Sequence, residues 1–257
     1  MTSPTSPTQR IAVPLIGVAG AIVSGAAIAY FLAFLSGAGV SRSIDAGGRD
    51  LGPIAVAVDL ALVLVFGLQH SVMARPGFKR RWTRFWPPAA ERSAYVLASS
   101  AALFLLSLAW RPIGGTVWNV EQEGLRIAIW AAYAGGILLL AAACAQIDGL
   151  ALIGLRQSLE GGGWLRPRPD GGLVTRGLYR WMRHPIQAGW LLIVWVAPTM
   201  TWGHFLLAAS MTAYIVIGTG HEQRHLEADF GDDYRRYRER TGAFLPRLRR
   251  ARAGGAG

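Results

Sequence analysis

Apolar positions along this chain come in long unbroken blocks, not at amphipathic spacing. Five blocks stand out: Ile11 to Ser36, Gly52 to Met73, Ser93 to Trp110, Ile127 to Ile147 and Ile186 to Gly220. Roughly 20 helical residues cross the ~30 Å hydrocarbon core of a bilayer, so each block can span it. As one straight helix the last block would reach about 50 Å, and Pro198, Thr199, Thr201 and Gly203 interrupt its middle. The pattern predicts an all-α, polytopic integral membrane helical bundle of about five spans, the last a broken helix or a helical hairpin. Residues 1–10 read as a disordered polar tail and 11–147 as four transmembrane helices. Residues 148–246 read as a cytoplasmic segment, the hairpin and a tail helix, and 247–257 as a basic, glycine-rich disordered tail. The first block is longer than the apolar core of a signal peptide and lacks a clear small-residue cleavage site, so it is kept as a span.

Composition agrees: 52% of residues are hydrophobic and 16% charged, too apolar for a soluble domain of this length. The net charge of +11 raises the question of nucleic acid, and the placement of the basic residues answers it. Six lie between Ala74 and Arg92, six between Asp148 and His184, and nine after Gly220. The connections Gly37 to Leu51 and Arg111 to Gly124 hold two and one. Lys and Arg are retained on the cytoplasmic side, which places the three rich segments there together with the N-terminus and requires the hairpin. The positive charge is thereby explained without nucleic acid. One cysteine, Cys144, excludes a disulfide framework and cysteine-based zinc sites.

Polar residues inside or beside the spans are the candidates for chemistry. Asp59 and His70 lie in the second block, about three turns apart, with Gln69 beside His70. His70 reads either as a substrate-pocket or proton-path residue or as a packing hydrogen bond; Asp59, nearer the outer end, reads as structural. The glycine run Gly161 to Gly163 lacks the Lys and Ser/Thr of a phosphate loop. In PDGGLVTRGLYRWMRHP, three glycines, the rings of Tyr179 and Trp181, and Arg176, Arg180 and Arg183 make a set that can bind a small zwitterion with an aromatic base. The same arginines equally suit anionic headgroups. Phe230, Tyr234 and Tyr237 fall on one face of an amphipathic tail helix expected beside the membrane. His221, Glu222 and His225 match the letters of HExxH, but a helix leaving a span directly, without a further ligand, is a poor metal site, and none is assigned.

Taken together, GLYRWMRHPIQAG at Gly177 to Gly189, the apolar hairpin, Glu222 and FGDDYRRYRERTGAFLP resemble the isoprenylcysteine carboxyl methyltransferase superfamily of integral membrane methyltransferases. GLQHSVMARPGFKRRW, ERSAYVLASSAALFLL and WRPIGGTVWNVE are similar to its nurim-related branch, which includes bacterial methanethiol S-methyltransferases. The resemblance implies S-adenosylmethionine as methyl donor, no metal, and methylation of methanethiol to dimethyl sulfide. It implies a cofactor site within residues 148–246, formed or shaped by Tyr179, Arg183, His184, Pro185, Gly189 and Glu222. The chain departs from the superfamily pattern at Gln187, where an aromatic or large apolar residue is usual, and at Gln223, where a second Glu is usual. It also implies a small-thiol substrate, a lipid environment and a bacterial inner membrane.

Methyl transfer from a sulfonium needs alignment and a thiolate, not a metal or covalent intermediate. An ordinary thiol of pKa ~8.5 is only a few per cent ionised at neutral pH, so a base or positive charge helps. His70, Arg183 and His184 are the catalytic candidates, Arg183 and His184 by organising the cofactor and His70 as proton acceptor or pocket residue. Asp148 and Arg156 belong to the same rim. The rival readings are a methyltransferase for a prenylcysteine carboxylate or lipid amine, a non-enzymatic nurim-like membrane protein, and a transporter, for which no paired interrupted spans are visible. Oligomeric state is not encoded in any of these patterns.

Overall fold

A computed structural model describes residues 7–46, 52–167 and 172–247. Residues 1–6 and 248–257, which make up most of the two tails expected to be disordered, lie outside the described residues, whereas residues 7–10 of the expected N-terminal tail form the first turn of a helix. Helix α1 (Pro7–Ser36) begins on a proline, which costs nothing at a first turn because that N–H would have no helical partner. Next come α2 (Gly52–Ala74), the short α3 (Pro76–Trp82) and α4 (Pro88–Ala109), the last two again opening on proline. Strand β1 (Thr116–Asn119) leads to α5 (Glu123–Gln146), followed by the short helices α6 (Gly149–Leu152) and α7 (Leu155–Gly161). A 3-10 turn (Gly177–Arg180) precedes α8 (Pro185–Trp195), β2 (Thr199–Thr201) and α9 (Trp202–Arg240).

Five helices, α1, α2, α4, α5 and α9, are long and apolar enough to cross a membrane, and the protein is an integral membrane protein. The last apolar block is a hairpin of unequal arms. Its first arm, α8, has 11 residues, whereas α9 has 39 and runs far past Gly220. The tail helix is thus the continuation of the hairpin's second arm, bent where Gly231 leaves helical geometry at φ 53° and ψ −125°. That conformation is open to glycine because it has no Cβ.

The turn between the arms is built from strand-forming residues. Thr199–Thr201 pairs antiparallel with Thr116–Asn119, an element absent from the all-helix expectation. The Thr201 side chain accepts the His204 N–H at 3.2 Å and caps α9. Asp45 Oδ2 lies 3.2 Å from His204 Nδ1, which ties the loop after α1 to this end.

The core gathers Phe31, Phe34, Leu106, Trp110, Ile193 and Leu207 from α1, α4, α8 and α9. Helices α5 and α8 cross closely at glycines: a Cβ on Gly189 would stand 3.1 Å from Leu140 N and 3.2 Å from Gly136 O. Small residues allow such backbone approach within a membrane. The β1/β2 ribbon closes one end of the bundle, and the three arginine-rich segments share the other.

Candidate functional site

At the arginine-rich end, the segment before α8 is held on two sides. Leu178 N–H donates to Gln146 Oε1 at the end of α5 (2.6 Å). On the other side, Arg183 N–H donates to Gly242 O (2.9 Å) and His184 N–H to Ala243 O (3.0 Å), so the chain beyond α9 folds back over the segment. The Arg183 guanidinium donates to Arg238 O (3.0 Å) and Thr241 O, carbonyls at the C-terminal end of α9. A cation there satisfies helix carbonyls that lack a partner and meets the negative end of the dipole. Burial holds the Arg183 pKa below its ordinary value.

His184, next in the chain, is 2% exposed. Its Nδ1 lies 3.5 Å from Glu222 Oε2 and its Nε2 3.2 Å from Gln223 Nε2, while Phe244 stands 6.0 Å from its ring. Gln187, in the first turn of α8, donates to the same Glu222 Oε2 at 3.0 Å. Burial, reinforced by the neighbouring Arg183 charge, holds the His184 pKa down at about 4, so the ring is neutral at pH 7. The Glu222 side chain is 49% exposed and presents a carboxylate at the mouth of this cluster. Tyr179 donates through its hydroxyl to Ala143 O (3.5 Å), and its carbonyl accepts from Tyr237 Oη (2.6 Å). Burial pushes the Tyr179 phenol up to about 12, keeping it neutral. One turn from Gln223, the buried Thr219 hydroxyl has no hydrogen-bond partner. An accessible carboxylate, neutral aromatic groups and an unsatisfied hydroxyl fit a ligand that carries a positive centre and polar groups.

A second cluster lies within the spans. His70 Nε2 is 2.7 Å from Tyr95 Oη, and its ring packs against Phe66 (5.5 Å), Tyr95 (5.1 Å) and Tyr214 (6.3 Å). His70 Nδ1 is buried without a partner. The Arg92 guanidinium sits 4.7 Å from the centre of the Tyr95 ring. Tyr214 and Glu222 are both on α9, eight residues and about 12 Å apart along the axis, so one helix serves both clusters.

The structure thus brings together Tyr179, Arg183, His184, Pro185 and Glu222, with Pro185 opening α8. Gly189 lies at the α5–α8 crossing, and His70 in the separate aromatic cluster. Asp59 accepts the Arg111 N–H (2.9 Å) toward the opposite end, and Asp148 caps α6 and pairs with Arg156. Sequence reasoning did not assign Gln187 or Gln223 to the site, though both were visible as departures from pattern. It placed Tyr234 and Tyr237 on one face of an amphipathic helix beside the membrane without naming what that face meets; Tyr234 is fully buried and Tyr237 holds Tyr179. Tyr95 and Tyr214 gave no sequence signal beyond their position in apolar helices.

The sequence profile of the NnrU protein family matches residues 60–255. The chain is 41% identical to the methanethiol S-methyltransferase of Mycobacterium tuberculosis over 93% of its own length and 97% of the relative's. It is 40% identical to that of Pseudomonas deceptionensis, covering 82% and 80%. It is 30% identical to the nurim of Pan troglodytes, covering 66% and 68%. No solved structure matches the chain.

Proposed function

The chain belongs to the NnrU family, and from that premise we propose that it methylates methanethiol to dimethyl sulfide with S-adenosylmethionine as donor. The observation that carries this reading is 41% identity, along nearly the whole of both chains, to a relative named for that reaction. The donor site is the cluster of Tyr179, His184 and Glu222, with Glu222 facing the donor's positive charge and Arg183 positioning the segment. When bound, the sulfonium supplies an already activated methyl group, so the protein's task is alignment and ionisation of the thiol. His70 takes the thiol proton at Nδ1, the ring nitrogen that Tyr95 leaves open. A small apolar thiol partitions into hydrocarbon, which suits an approach from the bilayer to the His70 cluster among α2, α4 and α9. The donor arrives from the arginine-rich side, which by charge asymmetry is the cytoplasm of a bacterium, with both termini there.

Headspace gas chromatography of purified protein given S-adenosylmethionine and methanethiol tests the reading. Dimethyl sulfide is expected from wild type. Glu222→Gln should weaken donor binding about tenfold or more, and His70→Phe should lower turnover by ~10²-fold with donor binding retained. No dimethyl sulfide from folded wild type that binds the donor would overturn the thiol assignment.

A further inference from the structure

Two glutamines close a ring of contacts between the first turn of α8 and the middle of α9. Gln187 Nε2 donates to Glu222 Oε2 (3.0 Å), the same oxygen lies 3.5 Å from His184 Nδ1, and His184 Nε2 lies 3.2 Å from Gln223 Nε2. A neutral imidazole has one N–H and one bare nitrogen. The carboxylate facing Nδ1 can only accept, so Nδ1 carries the hydrogen, and the bare Nε2 accepts from the Gln223 amide. Amide and carboxylate therefore agree on one tautomer. Around the ring, Glu222 on α9 and Arg183 on its own segment are the charged groups, and the returning chain contributes the Phe244 ring and backbone.

We propose that Gln187 and Gln223 are positioning residues of the donor site: Gln223 holds the proton of the neutral His184 ring on Nδ1, and Gln187 with His184 orients the Glu222 carboxylate toward a cationic ligand. A neutral histidine leaves the negative charge of Glu222 uncompensated by the ring, so the site favours the donor's sulfonium over the neutral thioether sulfur of its product. A carboxylate at position 223 would hold the ring as imidazolium, adding one negative and one positive charge, so the cluster would keep its net charge while both ring nitrogens became donors.

This inference rests on the methyl-transfer reading only for the identity of the donor. Its test reads the histidine directly: two-bond 1H–15N correlation spectra of 15N-histidine-labelled protein in lipid nanodiscs, with His184→Asn assigning the resonance. Wild type should show the neutral Nδ1–H form at neutral pH. Gln223→Glu, nearly isosteric, should raise the midpoint of His184 titration by at least ~1 pH unit, and Gln223→Met should mix the tautomers. On the same samples, Gln187→Met, which frees the Glu222 carboxylate, should lower the preference for S-adenosylmethionine over S-adenosylhomocysteine about tenfold or more. An Nε2–H ring in wild type, a titration unmoved by Gln223→Glu, or an unchanged affinity ratio would each overturn the proposal. Failure to make dimethyl sulfide with the tautomer pattern intact would instead overturn the acceptor assignment.

Discussion

At the scale of single residues, the neighbours His184 and Arg183 divide two tasks that sequence alone leaves joined. Arg183 spends its charge on the carbonyls ending α9, which leaves Glu222 as the accessible charged group beside His184. His184 is buried uncharged, and that has a measurable cost in acid. Its folded pKa of about 4 lies below the ordinary histidine value of 6.5, so as pH falls the unfolded chain takes up the proton first. The stability owed to this group is present above pH ~6.5, is lost as pH falls towards 4, and changes no further below that. Thermal denaturation between pH 7 and 4.5 should therefore show a steeper loss of Tm for wild type than for His184→Asn. Parallel curves would mean that the ring is hydrated.

At the scale of elements, the α5–α8 crossing carries the segment proposed to hold the donor, because α8 begins directly after His184 and its position is set by Gly136 and Gly189. Gly189→Val would push two backbones apart, an overpacking of about 1–3 kcal/mol. The expected result is a Tm lowered by several degrees and a raised donor KM, compared with little effect from a substitution at Gly135, where nothing lies within 4 Å of an added Cβ. The spans themselves were legible because length and apolarity are all a bilayer asks of a helix. The hairpin was legible from Pro198 and from the distribution of arginines. The β1/β2 ribbon was not, since its seven residues pair only across a separation of some eighty positions, which no local pattern reports. The tyrosine stripe of α9 was seen, but its partner was not: an aromatic face fits a lipid surface and a protein segment equally well. His70 was legible as a polar residue out of place, whereas Tyr95 and Tyr214, which give it an environment, look in sequence like any interfacial aromatic.

At the scale of the whole molecule, the arginine-rich end gathers the proposed donor site, and the opposite end is closed by the ribbon and the Asp45–His204 contact. The single native cysteine makes orientation straightforward to measure. In a Cys144→Ser background, an impermeant maleimide applied to intact cells should label Thr116→Cys but not Phe85→Cys, and permeabilisation should expose the latter. The reverse pattern would invert the assigned topology. A further consequence lies in α9. One rod runs from its cap at Thr201, past Tyr214, to Glu222 and Gln223, so the angle between the His70 cluster and the His184 cluster is fixed by the number of residues between them. A residue added within that rod would lengthen it by only ~1.5 Å, which a bilayer absorbs, yet would swing everything beyond it by about 100°. The spacing of this span is therefore governed by angle more than by thickness. Over evolutionary time its length should change in whole helical turns or not at all.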